Sequence, residues 1–301
     1  MSAINILKAA KDNWYDYDGI FPFIVQVGAG GTGAYTVQHI AQLLGTSKTK
    51  AAYVIADPDV IEEKNLGNQL FLEAEVGLRK ADVLASRYST AYGIDIGSYS
   101  GEYIESPDKL RSLFSLEYMS MYDEDERRGN KLFLPILIGC VDNHYTRRVI
   151  HELFMTMKTA IYIDAGNEQT KTPSDWRTRP KIRWNDEEIR EYNESGWSGQ
   201  VVTGVRLNLF NQDPVAGMFP DILLDEDDIK PSELSCTELT SSQPQRLIVN
   251  KFAALAIANI VTDIVENFSI NSHITFFHAK KGYMRSTEIN QKNDIAHSSQ
   301  L

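Results

Sequence analysis

The sequence is poor in cysteine, in positive charge and in long apolar runs, and each shortage excludes a class of protein. Two cysteines in 301 residues cannot build a disulfide framework or a four-cysteine zinc site, so no structural zinc is expected. Lys and Arg number 30 against 41 Asp and Glu, a formal charge of −11, which argues against a nucleic-acid-binding surface. No stretch approaches ~18 consecutive apolar residues, so neither a transmembrane helix nor a membrane partner is expected. The first 20 residues carry Trp14, Tyr15, Asp16 and Asp18 in place of the cationic start and apolar middle of a signal peptide. A reducing cytoplasm fits these features. No internal repeat is present.

What is there is an ordinary globular composition, 43% hydrophobic and 24% charged, enough for one large domain or two small ones. Residues 1–22 form an amphipathic lead-in. From Phe23 the pattern runs strand, glycine turn, helix. Phe23–Val27 is a short apolar run, and Val37, Ile40, Ala41 and Leu44 recur at helical spacing up to a stop at Gly45. Ala51–Ala56 reads as a second strand, Leu78–Tyr92 as a helix and Gly93–Ser98 as a weaker strand. After a charged surface loop at 122–130, Leu132–Gly139 and Ala160–Asp164 read as buried strands around a helix at Asn143–Met157. Apolar strands alternating with helices predict an α/β fold, a Rossmann-like, mostly parallel sheet with helices on both faces. That core spans residues 23–170. Residues 171–286 form a C-terminal part with antiparallel strands at Val201–Phe210, His273–His278 and Gly282–Ser286. It also holds a crossover loop at about 211–243 and a long helix over Pro244–Phe268, and residues 287–301 read as a polar, frayed tail.

Gly28, Gly30 and Gly33 satisfy G-x-G-x-x-G between strand and helix, with Gly31 beside them. Glycines there let the backbone approach a phosphate, and the helix start offers unpaired N–H groups and a positive dipole. The pattern implies a nucleotide without saying which one. Asp57, at the end of the second strand, would also suit the ribose of a nicotinamide cofactor in a dehydrogenase.

The later motifs separate these readings. Asp57-Pro58-Asp59 leads into Asn65-Leu66-Gly67-Asn68-Gln69, then Gly77-Leu78-Arg79-Lys80, then Gly139-Cys140-Val141-Asp142-Asn143, with Arg147 and Arg148 a helical turn on. A glycine nucleotide loop, D-x-D, N-L-x-R-Q, a G-x-x-K helix start and a strand ending in D-N, in that order, resemble the ThiF/MoeB-type adenylating enzymes, the family that includes the ubiquitin-activating enzymes. The spelling is most similar to the ThiF members of bacterial PRTRC-type operons. The resemblance covers residues 23 to about 165, with weaker echoes to 267. A dehydrogenase leaves Asn65, Lys80 and Asp142 without a role.

The resemblance implies ATP and Mg²⁺ as cofactors and activation of a C-terminal carboxylate by attack on the α-phosphate. Such a reaction needs cations and N–H donors around phosphate oxygens more than an acid or base. By the same resemblance Asp57 binds the ribose, Asp59 lies near the phosphates, and Asn65 and Lys80 contact them. Asn68 and Gln69 complete the nucleotide site, and Asp142 holds Mg²⁺. Two departures stand out. The family's Arg in N-L-x-R-Q is Asn68 here, with Arg79 the nearby cation that would replace it. The N-terminal Arg that a partner subunit often supplies is also missing, since residues 1–22 hold only Lys8 and Lys11 as basic residues. Either phosphate binding is rearranged, or activity is weak or lost.

Cys140, at the end of an apolar strand, reads as a small buried hydrophobe. Cys236, in Ser235-Cys236-Thr237-Glu238 before the long helix, matches the crossover position of the thioester-forming cysteine in ubiquitin-activating relatives. The resemblance therefore implies adenylation of the C-terminal glycine of a small ubiquitin-like protein, thioester formation on Cys236, transfer to a conjugating enzyme, and a homodimer. Sulfur-carrier activation without a thioester and a non-catalytic scaffold are the alternatives. The six acidic residues in 221–233 read as a solvated loop or as a dock for a basic face of the substrate protein. His39, His144, His151, His273 and His278 have no metal-ligand spacing. Trp176, Trp184 and Trp197 fit core anchors or partner contacts equally.

Overall fold

The computed structural model describes residues 3–11, 16–115, 130–224, 229–233 and 245–289. In chain order the elements are β1 (Ile4–Asn5), α1 (Ile6–Ala10), β2 (Gly19–Val27), α2 (Gly31–Thr46), β3 (Ala52–Ala56), α3 (Lys80–Tyr92), β4 (Gly97–Tyr99), α4 (Pro107–Ser112), β5 (Lys131–Gly139), α5 (His144–Thr156), β6 (Ala160–Asn167), α6 (Asp186–Glu194), β7 (Ser198–Leu207), β8 (Phe210–Gln212), α7 (Val215–Met218), α8 (Asp221–Leu224), α9 (Leu247–Asn267), β9 (Ser269–Ile270), β10 (Ser272–His278) and β11 (Tyr283–Glu288).

The main sheet has the order β11-β10-β7-β6-β5-β2-β3-β4, with β8 added on β7. The run from β6 through β5, β2 and β3 to β4 is parallel. The pairs β6–β7, β7–β10 and β10–β11 are antiparallel. The expected parallel core with a C-terminal antiparallel extension is therefore the observed architecture. Strict alternation along the central strands sorts their side chains into two cores. Ile20, Ile24, Tyr53 and Ile55 face α2, α3 and α9, while Phe21, Phe23, Val25 and Val54 face α4 and α5. Two buried faces explain why these strands read as unbroken apolar runs.

Several boundaries differ from the sequence reading, each for a local reason. β2 begins at Gly19, inside the expected lead-in, because β5 pairs with it from Gly19↔Lys131 onward. The lead-in itself is anchored: Ile4–Asn5 pairs with β9 and Ile6 is fully buried. Gly45 does not stop α2. The helix runs to Thr46, and Gly45 is the point where its last turn meets α3, since a Cβ there would lie 2.9 Å from both Cβ and O of Tyr92. The strand expected over Val201–Phe210 is two strands folded back on each other, β7 and β8. The acidic stretch 221–233 opens with α8, whose Ile222 is buried, and Pro231 is buried as well. β11 runs through Glu288 and Ile289 is buried, so ordered chain extends past the expected start of the tail. The residues at 290–301 and the charged loop at 122–129 lie outside the described residues.

α9 is long and apolar enough to cross a membrane, with a mean hydropathy of 1.6, although no unbroken apolar run marks it in the sequence. In the fold it is a core helix. It packs along α2 and against β6, β7 and β10, burying Val249, Ala253, Ile257, Val261 and Ile264 completely.

Candidate nucleotide site

The site is built at the C-terminal ends of the parallel strands, where open α/β sheets place their ligands. β2 ends at Val27, and Gly28 turns the chain with φ +97°, a conformation that favours glycine. A Cβ on Gly28 would lie 2.5 Å from the Cys140 carbonyl oxygen. A methyl group on Gly33 would overlap the Gly28 carbonyl, and one on Gly31 would overlap the Asn250 amide. Gly30 is different: the nearest atom to a Cβ there is Gln69 Nε2, at 3.8 Å. Gly30 caps α2 without a side-chain bond, and Ala34 makes the first helical hydrogen bond, to Gly30 O at 2.9 Å. The N–H groups of Gly31, Thr32 and Gly33 thus stand outside the helical ladder.

Two buried amides clamp this loop from long range. Gln26 Nε2 donates to the carbonyls of Gly28 (2.8 Å) and Gly33 (3.0 Å), and its Oε1 accepts from Tyr53 OH at 2.7 Å. On the other side Asn250, from the first turn of α9, accepts from Thr32 Oγ1 (3.2 Å) and from Asn167 Nδ2 (2.9 Å). Neither Gln26 nor Asn250 figured in the sequence motifs. A lone Gln inside the run Phe-Ile-Val-Gln-Val was the one signal available for the first.

Asp57 and Asp59 sit in different surroundings. Asp57 is 7% exposed, and both its oxygens accept backbone N–H groups, Oδ2 from Ala29 (2.6 Å) and Oδ1 from Asp59 (2.8 Å). Burial pushes its carboxyl up to about 6, against the pull of Lys80. Each oxygen keeps a second acceptor position, so the ribose contact expected of Asp57 needs none of these bonds displaced. Asp59 keeps a side chain 40% exposed. Its Oδ2 accepts from Lys80 Nζ at 2.8 Å and its Oδ1 from Tyr103 OH at 2.6 Å. Partial burial opposes ionisation of Asp59, but the charge and hydrogen bond of Lys80 outweigh it and hold the carboxyl low. Lys80 is itself buried. Desolvation works against its charge, yet Asp57 and Asp59 together raise its pKa, so it is a cation at neutral pH. The helix expected from Leu78 starts at Lys80 because the chain before it doubles back along residues 59–61. Lys80 N bonds Asp59 O, and Ile61 N bonds Leu78 O.

The remaining motif residues surround this centre. Asn65 Oδ1 accepts from Glu62 N at 2.9 Å and shapes the turn, leaving its amide NH₂ for a ligand. Asn68 Oδ1 and Gln69 Oε1 are buried without a hydrogen-bond partner. Unpartnered polar atoms of this kind, on a side chain whose amide nitrogen in the case of Gln69 lies beside Gly30, suit a polar ligand. A cavity of about 440 Å³ opens beside Asp59, lined also by Val60, Arg79, Tyr103, Glu105 and Ser232. Arg79 sits on its wall and donates to Pro58 O.

Asp142 is exposed just beyond the end of β5. Asn143 caps α5 by accepting from Thr146 N at 2.8 Å. Arg147 is turned inward. Its Nε donates to Asp164 Oδ1 at 3.0 Å, and its Nη2 donates to Val141 O (2.7 Å) and Ala165 O (3.0 Å). Among the described residues no group of three or more His, Cys, Asp or Glu side chains could hold a metal. A single carboxylate suits a hard ion such as Mg²⁺ that completes its coordination with phosphates and water. Cys140 is partly buried. Its Sγ lies 3.8 Å from Thr36 Oγ1, and burial pushes the thiol up to about 12, far from a reactive thiolate. Cys236 lies outside the described residues. Trp184 and Trp197 are internal anchors: Trp184 is buried edge-on to Tyr192, and Arg246, just before α9, stacks 3.9 Å from the Trp197 ring.

A model of the ThiF family matches residues 23–296. The chain belongs to the ThiF family. Among solved structures its fold is similar to that of E. coli MccB. The MccB structure with AMPCPP and MccA gives a TM-score of 0.50 at 16% identity, covering 90% of this chain and 64% of that one. The MccB structure with succinimide gives 0.51 at 17%, covering 89% and 63%. PaaA gives 0.47 at 15%, covering 89% and 64%. This ThiF-family chain thus spans just under two thirds of the length of these neighbours. No curated protein sequence matches it.

Proposed function

We propose that this ThiF-family chain adenylates the C-terminal carboxylate of a small protein. A carboxylate oxygen attacks the α-phosphorus of ATP, the bond from that phosphorus to the pyrophosphate oxygen breaks, and an acyl-adenylate and pyrophosphate result. The observation that carries the reading is the Asp57 carboxylate. Its 2.6 Å bond to Ala29 N and 2.8 Å bond to Asp59 N lock the glycine turn to the Asp59–Lys80 pair. The turn and the cation are thereby held as one unit.

Each group then has a task. The first-turn N–H groups of α2 and the Lys80 ammonium receive phosphate oxygens, whose charge grows during attack. Asn65 and Gln69 offer amides beside them. Arg79, on the cavity wall, supplies the cation that Asn68 cannot. Asp57 takes the ribose through the acceptor positions its oxygens keep, and Asp59 lies near the phosphates, where it positions metal or substrate. Asp142 holds Mg²⁺, which when bound neutralises phosphate charge. The reading is supported by membership of the ThiF family and by a fold shared with E. coli MccB, itself solved with AMPCPP and MccA.

The substrate in this reading is a ubiquitin-like protein with a C-terminal glycine. Cys236 then takes the acyl group as a thioester and passes it to a conjugating enzyme. The support for that step is the place of Cys236 in the sequence, shortly before α9. The experiment mixes the protein, Mg-ATP and a candidate ubiquitin-like protein, with Cys236→Ala in parallel, and reads intact mass and a non-reducing gel. A thiol-sensitive, ATP-dependent adduct lost in Cys236→Ala supports the full scheme. Pyrophosphate release without an adduct replaces the thioester step by sulfur-carrier activation. Absence of ATP binding by calorimetry would leave a non-catalytic scaffold.

A further inference from the structure

The first turn of α2 is closed on one side by a residue from the far end of the chain. Asn250 lies in the first turn of α9, 218 residues after Thr32. Its Oδ1 accepts twice, from Thr32 Oγ1 at 3.2 Å and from Asn167 Nδ2 at 2.9 Å. Asn167 Nδ2 also donates to Thr32 Oγ1 at 2.9 Å, so the three side chains close a ring. These bonds fix which way the Asn250 amide points. Its Nδ2 is turned to Gly31, where a Cβ would lie 2.2 Å from it. Asn250 is completely buried, and this Nδ2 has no hydrogen-bond partner among the described residues.

A buried NH₂ group without a partner is costly in the empty protein, and the turn beside it is already rich in donors. Gly31, Thr32 and Gly33 leave their N–H groups outside the helical ladder, at the positive end of a 16-residue helix. Asn250 adds the positive end of its own amide dipole behind Gly31, which has no side chain to stand between that dipole and a ligand. Fixed dipoles in a water-excluded place act strongly on a nearby charge and need no reorganisation when it arrives. An anion at the turn offsets the cost of the unpaired group, and a neutral ligand does not.

We propose that Asn250 is a positioning residue for the phosphate groups of the nucleotide, which holds the first turn of α2 through Thr32 and turns an unpaired amide dipole toward the anion. The long helix α9 is thereby part of the nucleotide site. The inference rests on the nucleotide reading above and adds a residue that lies outside its motifs. ATP and adenosine, which has no phosphate, are titrated by calorimetry into wild type, Asn250→Ser and Asn250→Asp. Asn250→Asp keeps the acceptor for Thr32 and Asn167 and replaces only the NH₂ group, by a carboxylate oxygen. Asn250→Ser removes the dipole without adding charge. ATP affinity falls about threefold in Asn250→Ser and about tenfold or more in Asn250→Asp, while adenosine affinity stays within about twofold of wild type in both. A purely structural role would weaken both ligands together, and equal losses for ATP and adenosine would overturn the proposal. ATP affinity in Asn250→Asp equal to that of wild type would overturn it as well. Melting curves show which variants are folded, and if Asn250→Asp does not fold, Asn250→Ser decides by the same comparison. Failure of wild type to bind ATP at all would overturn the nucleotide reading, and this role of Asn250 with it.

Discussion

Arg147 and Asp164 meet 3.0 Å apart in the interior, one at the start of a helix and the other on the neighbouring strand. The pair is almost completely buried, and Arg147 also donates to Val141 O and Ala165 O. It thereby ties the peptide before Asp142 to the end of β6. Removing one partner leaves a buried charge uncompensated, which costs about 3–5 kcal/mol, whereas replacing both with apolar residues is often neutral. Arg147→Met is expected to lower unfolding free energy in urea by that amount. Arg147→Met combined with Asp164→Leu is expected to recover most of it.

The glycines of the turn are unequal. Gly28→Ala would place a methyl group 2.5 Å from Cys140 O at a φ of +97°, and Gly33→Ala would drive one into the Gly28 carbonyl. Neither neighbour is a flexible side chain, so each variant is expected to lose about 1–3 kcal/mol and to lose ATP binding. A Cβ on Gly67 would meet nothing within 4 Å, and Gly67→Ala is expected within about 0.5 kcal/mol of wild type. Denaturant curves and calorimetry on the three variants check the contrast.

Asp57 gives a pH dependence with a definite sign. Its folded carboxyl titrates at about 6, above the unfolded value of ~3.9. The native state therefore holds a proton that the unfolded state has released. The stability contributed by this group is complete below ~3.9 and is lost as pH rises through about 6, an effect of roughly 2–3 kcal/mol. Asp59, held low by Lys80, acts in the opposite sense, losing its contribution only as pH falls below the ordinary carboxylate range. The difference in unfolding free energy between wild type and Asp57→Asn is expected to shift toward the variant between about pH 4 and pH 6.

Lys80 and Asp142 are expected to act on rate, and Lys80 on stability as well, because it is buried and offsets Asp57 and Asp59. Lys80→Met removes the cation facing Asp59 and is expected to slow pyrophosphate release by about 100-fold or more. Asp142→Ala is expected to raise the Mg²⁺ concentration needed for half-maximal release, with an unchanged melting curve because Asp142 is exposed. Pyrophosphate release at the wild-type rate in Asp142→Ala would remove it from the site.

Much of this arrangement was legible in the sequence because it is local. Unbroken apolar strands revealed the parallel sheet, and the glycine turn, the D-x-D pair and Lys80 lie at fixed spacings from strand ends. The parts that were not legible depend on distant partners. Gln26 is one polar residue in a buried strand until Tyr53 and the Gly28 and Gly33 carbonyls are brought to it. Asn250 is part of an apolar helix until Thr32 and Asn167 meet it. The anchoring of Asp57 follows from the Ala29 N–H, 28 residues away, which no spacing rule reveals. Gly45 read as a helix stop because glycine is poor in helices, but its lack of a side chain serves the contact with Tyr92 instead.

The central claim is formation of an acyl-adenylate, and ATP–pyrophosphate exchange tests it most directly. The protein is incubated with Mg-ATP, labelled pyrophosphate and a candidate ubiquitin-like protein, either intact or lacking its C-terminal glycine. Label entering ATP only with the intact protein, and lost in Lys80→Met, is the predicted result. ATP binding with no exchange, when the same ubiquitin-like protein is shown to bind the chain, would contradict the account.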